Sequence, residues 1–180
     1  MLYSYEECVQ RYGSKYHLKK AVENGMLYQL DKGIYSDKQR VPEECLIAYK
    51  YPKAILTLNS AFYFYNLTDV IPEKVYIATD RNAAKITDKR VVQIFENSEI
   101  FTLGVTSVTR EDGKVNIYSK ERLLVELLRH KSKFSFDYYK EVLLSFREII
   151  DDLDIRSIQD YADEVPKSRK IMETLQLEVL

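Results

Sequence analysis

The chain has 180 residues, 46% hydrophobic and 31% charged, with a net charge of −1. This composition excludes a disordered or fibrous chain and leaves room for one full domain plus a small module. It also excludes a globally basic nucleic-acid coat protein, so any affinity for nucleic acid must come from a local patch.

Ser4 to Tyr12 reads as a first helix, with Ser4 as its cap and Glu6 and Glu7 in its first turn. Gly13 breaks that helix, Ser14 caps the next, and Gly25 after Asn24 stops it. On a 3.6-residue wheel Leu18, Ala21 and Val22 share one face, and Tyr16, Lys19, Lys20 and Glu23 share the opposite one. Leu27 to Ser36 reads as two short strands around the turn Asp31-Lys32-Gly33. Helix, turn, helix, hairpin is the winged helix-turn-helix order, whose second helix enters the DNA major groove. The competing reading is a small helical cap with a surface hairpin, used for protein contacts. Residues 1–40 carry seven bases against five acids, and from Lys131 onward acids outweigh bases.

Asp37 to Pro42 is the expected linker, and Glu43 to Tyr51 a further short helix stopped by Pro52. Strands are then expected at Ala54–Leu58, Lys74–Thr79, Arg90–Phe95, Ile100–Val108 and Lys114–Tyr118, the last two joined by the turn Glu111-Asp112-Gly113. A short helix, Ala61–Leu67, capped by Asn59 or Ser60, follows the first of them. From Ser119 the pattern turns helical. Leu123, Leu124, Leu127 and Leu128 form an apolar stripe behind Glu121 and Arg122. Asp137 and Asp154 are candidate caps of the next two helices, and Pro166 suits the first turn of the last. Strands followed by helices predict an α+β fold. The expected domains are a winged module over 1–40 and a mixed sheet-plus-helices domain over 41–180.

Signals for catalysis are weak. Asp112-Gly113-Lys114 has the letters of a metal-nuclease strand, but its glycine beside Glu111 reads as a turn. Asp151-Asp152-Leu153-Asp154 lacks calcium-loop spacing and reads as a helix end and cap. No GxGxxG or GxxxxGK[ST] cradle is present, and His17 and His130 sit far apart with no nucleophile beside them. Cys8 and Cys45 stand outside any CxxC pair and fit reduced, partly buried thiols. The run Phe62-Tyr63-Phe64-Tyr65 points around a whole helix, which favours core packing over a base-stacking platform. We therefore expect no enzyme, no cofactor and no metal. No apolar run reaches the ~20 residues of a bilayer span, and MLYSYEECVQ lacks the pattern of a secretory signal. The expectation is a cytoplasmic protein with no membrane partner.

With these elements placed, the sequence resembles the AbiEi family of antitoxins, from AbiE-type toxin–antitoxin systems. Three stretches carry the likeness. Asp31-Lys32-Gly33-Ile34-Tyr35 resembles the family's wing. Leu56 to Asp69, with Pro72 and the strand Val75-Tyr76-Ile77-Ala78-Thr79, resembles its strand–helix–proline–strand core. Val115-Asn116-Ile117-Tyr118-Ser119 followed by Glu121-Arg122 resembles its strand running into a Glu-Arg helix. The resemblance implies a winged helix-turn-helix joined to an antitoxin domain. It implies repression of the protein's own operon through promoter inverted repeats, and opposition to a nucleotidyltransferase-like toxin.

Two departures stand out. Glu126 replaces the aspartate often found after the Glu-Arg pair, at a position read as structural. Winged modules also usually have a helix before the pair, whereas only Met1-Leu2-Tyr3 precedes Ser4. This reduced module is thus expected to lean on the second domain or on a partner. The residues expected to meet DNA are Ser14, Lys15, Tyr16, His17, Lys19 and Lys20 on the second helix and Lys32 in the wing, with a homodimer forming on the inverted repeat. The alternative is a protein-binding module that neutralises a toxin without touching DNA.

Overall fold

In the computed structural model, which describes residues 1–110 and 112–179, the chain is α+β and divides into two compact units. The first comprises Met1–Pro52 and Val108–Val115; the second comprises Lys53–Ser107 and the chain from Asn116 onward. The first unit therefore runs past the boundary expected near residue 40.

The first unit opens with strand β1 (Leu2–Ser4), helix α1 (Tyr5–Tyr12) and helix α2 (Lys15–Glu23). Ser4 and Glu7 form a reciprocal capping box at the start of α1, which satisfies two backbone N–H groups the helix cannot bond itself. Gly13 ends α1 at φ 80, a left-handed conformation that favours glycine, and the Ser14 hydroxyl then caps α2. The hairpin is β2 (Tyr28–Asp31) and β3 (Ile34–Ser36), turning on Gly33 at φ 76. β1 adds antiparallel to β3, giving a three-stranded sheet in the order β1-β3-β2. That third strand is not foreseen in the sequence.

Both faces of this sheet are covered. On one side Cys8, Leu18, Ala21, Leu27 and Tyr35 form a buried cluster with Val9, Tyr12 and Val22 against it. On the other, Leu46 of helix α3 (Glu43–Lys50) packs with Leu2 and Ile34. The wall expected to be missing is thus supplied by α3, which follows the hairpin in sequence. Polar contacts reinforce it: the Tyr49 hydroxyl donates to Glu7 at 3.1 Å, and Lys50 Nζ donates to Asp31 at 3.0 Å.

The larger sheet is five-stranded and mixed, in the order β6-β5-β4-β8-β7, and all of it but Val108–Arg110 and Gly113–Val115 belongs to the second unit. Its strands are β4 (Ile55–Leu56), β5 (Val75–Asp80), β6 (Val91–Glu96), β7 (Val105–Arg110) and β8 (Gly113–Tyr118). β4 is antiparallel to β5, whereas β5–β6 and β4–β8 are parallel. Around the sheet run α4 (Leu58–Phe64), α5 (Ser98–Phe101), α6 (Lys120–Arg129), α7 (Phe136–Glu148), α8 (Ile155–Glu164) and α9 (Ser168–Glu178). Of the aromatic run Phe62 alone is fully buried, meeting Phe146 edge-on with ring centroids 6.2 Å apart, while Phe64 and Tyr65 are half-buried and Tyr63 is exposed.

Several boundaries depart from expectation. The strand expected over Ala54–Leu58 shortens to β4, and α4 starts at Leu58 after Thr57 rather than after Asn59 or Ser60. Ile100 lies in α5, not in a strand, because the apolar run at 100–105 splits between a helical turn and β7. Ser135, not Asp137, caps α7, accepting from the Tyr138 N–H, and Asp137 occupies the first turn. Asp154 does cap α8. Pro166 precedes α9 instead of lying in its first turn. Glu111, part of the expected turn before β8, lies outside the described residues.

Candidate nucleic-acid interface

α2 is amphipathic in the sense its sequence requires. Leu18 and Ala21 are buried, Val22 packs against the same core, and the opposite face is open. Tyr16 is 62% exposed and the Lys19 side chain 77%. Lys15, His17 and Lys20 are also exposed.

These side chains contact one another along the helix. Ser14 Oγ accepts from the His17 backbone N–H at 3.2 Å and lies 3.0 Å from His17 Nδ1. The His17 and Tyr16 rings meet edge to face at 5.6 Å, and Lys20 Nζ sits 4.9 Å from the centre of the Tyr16 ring. Lys19 pairs with Glu23 one turn away at 3.6 Å, an exposed contact that phosphate can displace. Lys32 is exposed in the hairpin turn, and its backbone N–H donates to Asp31 Oδ1 at 2.6 Å. Ser14, Tyr16, His17 and Lys20 are thus linked along the start of α2, Lys19 pairs with Glu23, and Lys32 stands separately at the hairpin. Cationic side chains beside an exposed tyrosine on a helix surface suit phosphate and base-edge contacts.

The charge of α6 is placed differently. Arg122 is 0% exposed, although it reads in sequence as the polar side of the apolar stripe, and Glu126, read as structural, is 1% exposed. Arg122 Nε donates to Glu126 at 2.9 Å, Nη2 lies 2.8 Å from the same carboxylate, and Nη1 donates to the carbonyls of Ile100 and Leu103. Arg129 joins Glu126 to Glu96, and His130 Nε2 lies 3.2 Å from Glu126. Burial alone would raise the Glu126 pKa, but His130, Arg129 and Arg122 outweigh it and hold the carboxyl below its usual range. Sequence reasoning missed this cluster. The available signal was the i, i+4 spacing of Arg122 and Glu126 inside an otherwise apolar helix.

Glu96, Glu126 and His130 bring potential ligand atoms within 4.8 Å of one another. Two guanidinium groups already neutralise the two carboxylates, so structural ion pairing accounts for the grouping. The 420 Å³ cavity beside it is lined by Tyr76, Phe95, Glu96, Arg129, His130 and Lys133, among others.

Other sequence candidates have structural partners. Asp112 accepts an ion pair from Lys38 at 2.7 Å, while Lys114 is exposed. Asp154 accepts from the Arg156 N–H and the Ser157 hydroxyl at its helix start. Cys8 and Cys45 are buried free thiols, and burial pushes Cys45 up to about 11, which keeps it protonated and unreactive at neutral pH.

No protein-family model matches the chain, and no curated protein matches it either. Among solved structures the chain is similar to the RV2827C protein from Mycobacterium tuberculosis, with a TM-score of 0.65 and 16% identity. The match covers 98% of this chain and 71% of that one. At that identity the likeness describes a shared fold. Among the described residues, no helix is long and apolar enough to cross a membrane.

Proposed function

We propose that this protein is a DNA-binding antitoxin that represses its own operon through a winged helix-turn-helix and opposes a nucleotidyltransferase-like toxin. The observation that carries the reading is α2, with its apolar face in the core and its Tyr16–Lys19–Lys20 face open, next in sequence to a hairpin bearing Lys32. The strand order and the two covered faces of the small sheet give that helix a fixed platform, as a reading head needs. In this reading Lys15, Tyr16, Lys19 and Lys20 engage the major groove and its flanks, Ser14 and His17 meet phosphate at the helix start, and Lys32 touches backbone. Two copies bind an inverted repeat. The protein works in the cytoplasm and is not an enzyme.

The test is fluorescence anisotropy on the protein's own promoter against scrambled DNA of equal length. The reading expects a preference of several kcal/mol, within the usual specific-to-nonspecific gap of about 4–10 kcal/mol. Equal, weak binding to both would remove it.

A second reading is a module that neutralises a toxin by protein contact alone. The Lys19–Glu23 pair favours it, because it uses one of the expected phosphate ligands within the helix itself. Co-purification with the toxin at high salt, without detectable DNA binding, would select this reading.

A further inference from the structure

Lys32 has an acidic neighbour that a DNA-facing hairpin must manage. Asp31 ends β2 at a register shift, accepts the Lys32 N–H through Oδ1, and has a side chain only 17% exposed. A carboxylate so little screened by water repels phosphate and offsets the charge of the lysine next to it. Its other oxygen, Oδ2, receives Lys50 Nζ from the last turn of α3 at 3.0 Å. The position of Lys50 is set from inside the module, since α3 is held by Leu46 against Leu2 and Ile34 and by the Tyr49–Glu7 hydrogen bond. The C-terminal turn of α3 also suits a cation.

We infer that Lys50 is a positioning residue for DNA contact: its ammonium offsets the charge of Asp31 at the base of the hairpin, so that Lys32 meets the phosphate backbone beside a carboxylate paired with a cation. The inference rests on the DNA-binding reading above. It gives α3 a second role besides closing the core, because the same helix supplies a cation to the acidic end of β2. Lys50 acts through Asp31 and Lys32 and is not itself a phosphate ligand. That distinction is measurable, because each phosphate contact adds about 0.9 to the log–log salt slope of binding.

The experiment measures promoter affinity at several salt concentrations for the full-length wild type, Lys50→Met, Lys32→Ala, Asp31→Asn and the Asp31→Asn/Lys50→Met double variant. Melting temperatures are recorded alongside. Lys50→Met is expected to weaken binding by about fivefold, the upper end of what one ion pair contributes, with a nearly unchanged salt slope. Lys32→Ala is expected to lower the slope by about 0.9. Asp31→Asn keeps an acceptor for the Lys32 N–H and should tighten binding, and the double variant should recover most of the Lys50→Met loss. Wild-type affinity in Lys50→Met overturns the inference, and so does a double variant as weak as Lys50→Met, which would mark the effect as structural. Should the wild type itself show no promoter preference, the DNA-binding reading falls and takes this inference with it.

Discussion

Two helices of this protein carry arginine or lysine at a comparable density and use it in opposite ways. In α2, Lys15, Lys19 and Lys20 project from a helix whose other face is core. In α6, every residue from Arg122 to Leu128 is buried, and the guanidinium of Arg122 has become part of the interior. Water screens the first set and supplies its hydration, so removing a member costs the fold little. The second set has lost its hydration and depends on partners, so removing a member leaves an uncompensated charge. The lesson is that a basic residue in a helix sequence has no fixed meaning. Its partners decide whether it serves recognition or architecture.

The largest expected effect comes from breaking the buried set. Arg122→Met strands part of the Glu126 charge and leaves the Ile100 and Leu103 carbonyls without their donor. It is expected to cost about 3–5 kcal/mol of stability, read by denaturant unfolding. A smaller loss follows from Gly104→Ala. Gly104 has φ +70, and an added Cβ would lie 2.7 Å from Arg122 Cβ, so the substitution is expected to cost about 1–3 kcal/mol.

Acid tests the same cluster through protonation. The folded pKa of Glu126 lies below the usual 4.5, so the unfolded chain takes up the proton more readily. Its contribution is complete above pH 4.5 and is lost as pH falls through the depressed folded value. Urea midpoints followed from neutral to acid pH should fall more steeply in the wild type than in Glu126→Gln. Parallel curves would remove Glu126 as a source of acid sensitivity. On stability the smallest effect belongs to the exposed set: Lys19→Ala with Lys20→Ala is expected to move it by no more than about 0.5 kcal/mol per site.

The sequence discloses the first unit well because its signals are local. Ser4, Gly13, Ser14, Gly25 and Gly33 each stand at a cap or a turn, so α1, α2 and the hairpin follow from short-range chemistry. β1 is hidden because three residues are too few to show a period, and its pairing with β3 joins residues at least thirty positions apart. The role of α3 is hidden for a related reason: only the fold brings Leu46 onto Leu2 and Ile34. In the second unit, Ile100 and its neighbours form an apolar run that helix and strand accommodate equally, and tertiary packing chooses the helix. Arg122 misleads in sequence because a charged residue is read as solvent-facing unless a buried partner is in view. Of the DNA-contact candidates, the exposure of Tyr16, Lys19 and Lys20 follows from helical period alone, whereas the electrostatic tie between Asp31 and Lys50 does not.

The contrast between the two helices reduces to one measurement: the salt dependence of promoter binding by the wild type and by the Lys19→Ala/Lys20→Ala variant. The account predicts a weaker complex and a log–log slope lower by about 1.8, two phosphate contacts at roughly 0.9 each, in a variant whose folding is unaltered. Identical affinity and slope in the two proteins would contradict it, and would leave the open face of α2 without a part in DNA recognition.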